Sequence, residues 1–186
     1  MKPFVSIIVT CRNEEKYIER CIKSILDQDY PKDRREIIIV DGMSEDKTLD
    51  IVKKYQKNNI FSNPKRTLAP ALNLGIEKSK GEIICKVDAH CELARDYVLQ
   101  CVRCLEKTGS GCVGGVQNSV GETKMQKIIA GVMNSRFAGG SFHYLKKGEY
   151  VDAVYLGTFR KEVFEKIGVY DERLVKTEDD DFNARM

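Results

Sequence analysis

Residues 4–14 read FVSIIVTCRNE, a short apolar and β-branched run that ends in a cluster of polar residues. The same arrangement occurs twice more, where Ile37–Val40 leads into Asp41 and Ile83–Val87 leads into Asp88. A helical pattern follows each run, and this alternation is typical of buried parallel strands in a series of βαβ units. The chain is therefore predicted to fold as an α/β domain with a mostly parallel central sheet.

The polar residues that follow the three runs are expected to meet at one edge of that sheet, because parallel strands share a direction. In open α/β sheets, ligands bind outside the carboxyl ends of the strands. The sequence thus predicts a site for a small polar ligand, with carboxylates as the main contacts and a metal ion as a candidate partner.

Size and composition narrow the function classes. The 186 residues fit one domain. The 31 basic and 28 acidic residues nearly balance, which gives no support for nucleic acid as a bulk partner. No run approaches the ~20 apolar residues of a membrane helix, and Phe4–Val9 is too short for a secretory signal. Seven cysteines, an odd number without a signal peptide, predict reduced thiols in the cytosol.

Periodicity and turn residues predict the remaining elements. Asn13 is predicted to cap the first helix, and either Ser44 or Asp46 the second. Further helices are predicted over Leu68–Ser79, Asp96–Thr108, Met125–Met133, Lys161–Ile167 and Glu178–Arg185, and strands at Ile60–Ser62, at Cys112–Val116 and within Tyr150–Phe159. The chain stops inside the last helical pattern, as a domain truncated at its C-terminus would.

Two short motifs do not indicate the ligand sites that their spacing would suggest. Gly109, Gly111 and Gly114 spell GxGxxG, but they follow a helix and open a strand, the reverse of the dinucleotide-binding order. Cys101 and Cys104 form a CxxC one helical turn apart, in an apolar stripe and without a second ligand pair. Core packing is therefore favoured over zinc binding for these two cysteines.

Asp41 and the triplet Asp88-Ala-His90 each have two interpretations. The triplet can place a carboxylate and an imidazole on one side of a turn, which suits Mn²⁺ better than Mg²⁺. In the alternative, Asp88 caps the following turn and His90 is merely exposed. Asp41 is suited to accept hydrogen bonds from a base or a ribose, or it is the turn residue of Asp41-Gly42.

Four consecutive acids, Glu178–Asp181, open the last predicted helix. Acids in a first turn are stabilised by the helix dipole and commonly face water. Mutual repulsion among four adjacent carboxylates also favours the binding of a proton, which suits a general base. Both interpretations stay open on the sequence alone.

Five segments carry a wider resemblance and cover Phe4 to Arg185. They are VSIIVTCRNEEKYIERCIKSIL, EIIIVDGMSEDKT, APALNLGIEKSKGEIICKVDAH, GTFRKEVFEKIGVYDERL and TEDDDFNAR. In this order they resemble the inverting family-2 glycosyltransferases of GT-A (nucleotide-diphospho-sugar transferase) fold, most of all the exopolysaccharide enzymes of the succinoglycan type. The resemblance implies a Rossmann-like sheet with helices on both faces. It also implies one catalytic domain, 1–186, with a nucleotide-binding half, 1–113, and an incomplete acceptor-side half, 114–186.

The resemblance also implies roles for individual residues. The nucleotide-sugar contacts would come from Thr10, Arg12, Glu14, Asp41, Arg66 and Asp88, with Asp41 on the base and Arg66 (or Lys65) on the diphosphate. Asp88 and His90 stand at the family's DxD metal motif, which implies a divalent cation. Glu178 and Asp179 match its acidic pair, with Asp179 as the catalytic base. Two positions depart from the pattern, because Gly42 and His90 stand where the family usually has aspartate.

The implied reaction moves a sugar from a nucleotide-diphospho-sugar, expected to be a UDP-sugar, to a saccharide or lipid-linked acceptor with inversion. The expected setting is exopolysaccharide synthesis in the cytoplasm, at the inner face of the membrane if the full-length protein has membrane segments. A nucleotidyltransferase would carry a Gly-rich basic loop in place of CRNEEKY. A sugar-nucleotide binding module without activity is the other alternative.

Overall fold

The computed structural model describes residues 2–135, 151 and 154–186. Six strands lie within these residues: β1 Val5–Cys11, β2 Arg35–Asp41, β3 Ile60–Ser62, β4 Ile83–Asp88, β5 Cys112–Gly115 and β6 Tyr155–Arg160. The α-helices are α1 Ile18–Leu26, α2 Thr48–Tyr55, α3 Leu68–Lys78, α4 Tyr97–Thr108, α5 Lys124–Met133, α6 Lys161–Ile167 and α7 Glu178–Arg185. A 3₁₀ turn, Lys32–Arg34, precedes β2.

The six strands form one sheet in the order β3-β2-β1-β4-β6-β5. Strands β1 to β4 pair in parallel, whereas β6 runs antiparallel to both β4 and β5. In this register Thr10 pairs with Val40 on one side and with Asp88 on the other, and Cys11 pairs with Asp41. The carboxyl ends of β1, β2 and β4 are therefore level, which confirms the predicted shared edge.

Helices cover both faces of the sheet because strand side chains alternate between the faces. On one face Ile7, Val9 and Cys85 join a core cluster with residues of α1, α2 and α4. On the other face Ile8 and Ile84 join a cluster with residues of α3, α6 and α7. The strands are thus buried on both sides, as continuous apolar runs predict for a parallel sheet.

The start of α1 differs from the prediction. Asn13 is not its N-cap, because Asn13 has φ 54° and the helix begins at Ile18. The Asn13 side-chain oxygen instead accepts a hydrogen bond from the Glu45 N–H at 2.8 Å, and the Asn13 N–H donates to Ser44 Oγ at 2.9 Å. Asn13 therefore ties the loop after β1 to the loop after β2.

Neither of the two residues predicted to cap α2 is its N-cap, which is Lys47 and makes no side-chain cap hydrogen bond. Asp46 lies one position earlier, and its Oδ1 accepts a hydrogen bond at 2.9 Å from the N–H of Thr48, the first residue of the helix. Ser44 instead contacts Asp41. The Thr48 hydroxyl also accepts the Glu14 N–H at 2.7 Å, which adds a second tie between the two loops.

The other elements match their predicted places within one to three residues. The strand expected within Tyr150–Phe159 is β6, although residues 150, 152 and 153 lie outside the described part of the chain. Cys101 is buried in the core as predicted, but Cys104 is exposed, so the apolar stripe does not include it. Among the described helices, none has the length and apolar character needed to cross a membrane.

Candidate functional site

An open cleft of about 240 Å³ lies at the carboxyl edge of the sheet. Its walls come from the ends of β1 and β4, from the loop after β2 and from the start of α3. Six residues that the sequence proposed for the site line this cleft: Thr10, Arg12, Glu14, Arg66, Asp88 and His90. The structure therefore brings together side chains that are up to 80 positions apart in the sequence.

The cleft carries charges of both signs. Arg12 and Arg66 supply two guanidinium groups, which can pair with phosphate oxygens in a bidentate manner. Glu14 and Asp88 supply two carboxylates, which suit hydroxyl groups or a cation. A ligand with both phosphate and hydroxyl groups fits this distribution.

Asp41 lies beside the cleft rather than on its wall. The residue is 1% exposed, and its Oδ1 accepts the Ser44 hydroxyl at 2.6 Å while Oδ2 accepts the Ser44 N–H at 3.0 Å. The Cys11 thiol, 3.8 Å from Oδ1, contacts the same carboxylate. These contacts are those of a turn residue, so the role of Asp41 on the base stays a prediction.

Asp88, His90 and Cys91 form a cluster of metal-ligating side chains at the end of β4. Their ligand atoms all lie within 4.8 Å of one another. His90 Nδ1 lies 3.3 Å from Glu14 Oε1, so a carboxylate from the loop after β1 holds the imidazole. Carboxylate and imidazole are ligands of Mn²⁺ and other divalent transition ions, so these residues fit the predicted cation.

Asp179, the proposed base, lies at the start of α7 and contacts Lys86 of β4. The Lys86 Nζ donates to both carboxylate oxygens of Asp179, at 2.7 and 2.6 Å. Lys86 and Asp88 are two residues apart on one strand, so their side chains leave the same face of the sheet, roughly 6–7 Å apart along it. Asp179 is thus held against the same face of the sheet as the Asp88 side chain, although it does not line the cleft itself.

Glu178 precedes Asp179 but has a different environment. It is 8% exposed, and no hydrogen bond or ion pair joins its carboxylate to another residue in the described part of the chain. Both acids belong to a helix that aromatic packing holds in place, because Phe182 stacks on Tyr170 at a centroid distance of 4.5 Å. Burial, with Asp179 nearby, raises the pKa of the Tyr170 hydroxyl well above its ordinary range. Glu178 is therefore buried at the start of a helix held by aromatic packing, whereas the Asp179 side chain is half exposed.

Residues 6–168 match the family described as glycosyl transferase family 2. The chain belongs to glycosyl transferase family 2. Its six-stranded, mostly parallel sheet with helices on both faces is the GT-A fold of this family, as the sequence predicted.

Two curated relatives of this family-2 chain are similar along nearly its whole length. One relative, from Methanococcus voltae, is 32% identical over 98% of the chain and 61% of the relative. Its name is dolichyl N-acetyl-alpha-D-glucosaminyl phosphate 3-beta-D-2,3-diacetamido-2,3-dideoxy-beta-D-glucuronosyltransferase. The succinoglycan biosynthesis protein ExoA of Rhizobium meliloti (strain 1021) is 28% identical over 97% and 57%. The chain therefore spans about three fifths of the length of these relatives.

Two solved structures resemble the family-2 fold described above. The mannosyltransferase PcManGT from Pyrobaculum calidifontis, in complex with GDP-Man and Mn²⁺, superposes with a TM-score of 0.75 at 25% identity, over 99% of this chain and 51% of that one. The S. aureus TarS fragment 1–349 in complex with UDP gives 0.72 at 22% identity, over 97% and 54%. At this identity the likeness to TarS concerns the fold alone.

Sequence reasoning missed two residues at this family-2 site. Lys86 interrupts the apolar run Ile83–Val87, and a lysine inside a buried strand is a signal that it has an acidic partner. Cys91 directly follows His90, but nothing in its sequence context distinguishes it from the other six cysteines. Neither Asp179 as the partner of Lys86 nor the approach of Cys91 to Asp88 is visible in residue spacing.

Proposed function

We propose that this chain is the donor-binding and catalytic part of an inverting glycosyltransferase that uses a nucleotide-diphospho-sugar. One observation carries the proposal: five residues predicted for donor binding line one cleft together with His90, which was predicted for the metal, and the proposed base contacts Lys86 on the strand that ends in Asp88. Family membership supports the reaction class.

The donor is expected to lie along the cleft with its diphosphate between Arg12 and Arg66. Both arginines line the cleft, and a diphosphate has the charge and geometry that guanidinium groups bind. Thr10 and Glu14 offer acceptors and a hydroxyl to the nucleoside. UDP is the expected nucleotide, on the resemblance stated above. The complex of PcManGT with GDP-Man supports nucleoside diphosphates as a class.

A divalent cation would be held by Asp88 and His90. When bound, it supplies positive charge that stabilises the leaving nucleoside diphosphate. The imidazole favours Mn²⁺ over Mg²⁺, which prefers a shell made of oxygen ligands alone. The Mn²⁺ in the PcManGT complex supports the same choice.

Asp179 is proposed to take the proton from an acceptor hydroxyl as that oxygen attacks the anomeric carbon. The new bond joins the acceptor oxygen to this carbon, and the bond to the diphosphate oxygen breaks on the opposite face, which inverts the configuration. The side chain of Asp179 is 49% exposed, and each carboxylate oxygen retains a lone pair beyond its contact with Lys86. Glu178, which is buried, is proposed to shape the start of α7 rather than to accept the proton.

The acceptor is proposed to be a saccharide or a lipid-linked saccharide in the synthesis of a cell-surface glycan. The printed names of the two curated relatives support this class, since one names a dolichyl phosphate and the other succinoglycan. A position in the cytoplasm, at the inner face of the membrane through segments outside this chain, stays a prediction that fractionation of the full-length protein would test.

The proposal is tested by separating donor binding from transfer with the variant Asp179→Asn. In titration calorimetry with UDP and Mn²⁺, the variant is expected to keep an affinity within about threefold of wild type. In the full-length protein its transfer rate should fall roughly 10²–10⁴-fold, the usual contribution of a general base. Equal loss of binding and transfer would rule out the base role.

Two further outcomes decide among the alternatives. Binding of UDP without hydrolysis or transfer of any UDP- or GDP-sugar by the full-length wild type would favour a binding module. Formation of a nucleotide sugar from a nucleoside triphosphate and a sugar phosphate would favour a nucleotidyltransferase.

A further inference from the structure

We propose that Cys91 is a third protein ligand of the cation site formed by Asp88 and His90, which lets the site bind thiophilic ions such as Zn²⁺, Co²⁺ and Cd²⁺ in addition to Mn²⁺. The inference deepens the proposed function, because it concerns the same cleft. It adds a ligand that neither the sequence motif nor the comparisons assign.

The three side chains are close enough to share one ion. Their ligand atoms lie within 4.8 Å of one another. With metal–ligand bonds of 2.0–2.3 Å, two ligands of a tetrahedral ion are roughly 3.3–3.8 Å apart, so a contraction of at most about 1–1.5 Å closes the shell. Small rotations of exposed His90 and half-buried Cys91 can provide this contraction.

The backbone already holds the three residues in a turn. The Cys91 N–H donates to the Asp88 carbonyl at 3.0 Å, which closes the turn directly after β4. The strand fixes Asp88 at one end of this turn, and Cys91 packs against the core at the other. The chain therefore loses little conformational freedom when an ion binds.

Two neighbouring groups are placed as outer partners of such a site. Glu14 Oε1 lies 3.3 Å from His90 Nδ1, and a proton held between them leaves Nε2 free to bind the ion. The Tyr155 hydroxyl lies 2.7 Å from Cys91 Sγ, where it can donate a hydrogen bond to a thiolate. Carboxylate–histidine–metal arrangements of this kind are common in protein zinc sites.

The ligand set predicts which ions bind. One carboxylate, one imidazole and one thiolate leave a fourth position open, as in catalytic zinc sites with three protein ligands. Thiolate ligands favour soft ions, whereas Mg²⁺ gains nothing from sulfur. Asp88 and His90 also line the cleft, so a diphosphate oxygen would be the candidate fourth ligand.

Cobalt spectroscopy tests the proposal, because a thiolate bound to Co²⁺ gives a charge-transfer band in the near ultraviolet. The wild-type chain, titrated with Co²⁺ under reducing conditions, is expected to develop this band and to lose it when Zn²⁺ is added. Cys91→Ser should abolish the band. Its Zn²⁺ affinity should fall at least about tenfold, because mutation of a residue that only hydrogen-bonds to a metal ligand already lowers metal affinity by about that factor.

Cys104→Ser is the matched control, because Cys104 is exposed on α4 and lies outside the cluster. This variant should keep the band at wild-type intensity. A wild type without the band, or a Cys91→Ser variant that retains it with native circular dichroism, would overturn the proposal. Calorimetry with UDP on the wild type separates the two proposals, since absent UDP binding with the band present refutes donor binding and leaves the thiolate ligand standing.

Discussion

The Lys86 ammonium contacts both carboxylate oxygens of Asp179, at 2.7 and 2.6 Å, and so joins a central strand to the first turn of α7. The two partners differ in exposure, since the Lys86 side chain is 11% exposed and that of Asp179 is 49% exposed. Little water is therefore available to replace this contact at the Lys86 ammonium, whereas Asp179 can also be hydrated.

This difference in exposure predicts that removing each partner has a different effect on stability. Asp179→Ala leaves a buried ammonium unpaired and should lower the free energy of unfolding by about 2–4 kcal/mol, near the range for broken buried pairs. Lys86→Met keeps the apolar stem and lets the carboxylate face water, so it should change stability by less than about 1 kcal/mol. Urea unfolding of both variants measures the difference. Equal losses of unfolding free energy would show that the difference in burial does not determine how much each partner contributes to stability.

The double variant Lys86→Met/Asp179→Ala provides the control for this prediction. It removes both charges, so it should recover most of the stability lost in Asp179→Ala. No recovery would mean that Asp179 stabilises α7 through contacts other than the one with Lys86.

A second prediction concerns the role of Asp41. Its oxygens accept two hydrogen bonds from Ser44, at 2.6 and 3.0 Å, and the residue is 1% exposed. If Asp41 binds the base, as the resemblance implies, Asp41→Asn should weaken UDP binding roughly tenfold or more, because hydrogen bonds to charged groups contribute about 1.5–3 kcal/mol. Ser44→Ala removes a competing donor and should preserve or raise UDP affinity.

Titration calorimetry with UDP measures both variants of this pair. An equal loss of UDP affinity in Ser44→Ala and Asp41→Asn would contradict the prediction. That result would mean that Asp41 acts only by holding the loop after β2.

The sequence was sufficient for the sheet because each strand is a local apolar run, and the shared edge follows from parallel pairing. Helix ends set by local patterns were also predictable, and Lys161–Ile167 and Glu178–Arg185 have the predicted bounds. The start of α1 was not, because the left-handed conformation of Asn13 depends on hydrogen bonds to a loop some 30 residues away.

The residues of the candidate site were likewise predictable only in part. Arg12 and Asp88 were predictable because they stand at the carboxyl ends of strands, and strand order then brings them to one cleft. The contact between Lys86 and Asp179 spans 93 positions and depends on how α7 packs against the sheet. No pattern within either segment encodes that packing.

A third prediction concerns alkaline pH and follows from the buried thiols. Burial raises the pKa of Cys85 to about 12, whereas an unfolded thiol has a pKa of about 8.5. Between these values the unfolded state loses a proton that the folded state retains. The stability that the buried thiol contributes is complete below about pH 8.5 and is lost as pH rises towards 12, at roughly 1.4 kcal/mol per pH unit at the steepest.

Urea unfolding at pH 7.5 and at pH 10, under reducing conditions, measures this dependence. Cys85→Ala should be less stable than wild type at pH 7.5 because it leaves a small cavity, but its stability should fall less between the two pH values. Cys104→Ser, at an exposed position, should fall as much as wild type. Identical pH dependence in all three proteins would show that the buried thiol does not control alkaline stability.

The last prediction uses two helical glycines in different surroundings. A Cβ added at Gly75 of α3 would lie 2.5 Å from Cγ2 of Ile8, a buried side chain of β1, whereas one added at Gly131 of α5 would meet no described atom within 4 Å. Alanine at a helix interior gains about 0.5–1 kcal/mol over glycine through backbone entropy. Overpacking a core costs about 1–3 kcal/mol.

Gly131→Ala should therefore raise the melting temperature by a few degrees, at about 2–4 °C per kcal/mol for a domain of this size. Gly75→Ala should lower it, because Ile8 is fixed in the sheet and the branched methyl group that the new Cβ meets cannot turn aside without moving the strand. Thermal unfolding followed by circular dichroism measures both shifts. Stabilisation by Gly75→Ala would mean that α3 can move away from the sheet, and that the close contact does not set the position of the helix whose first turn lines the cleft.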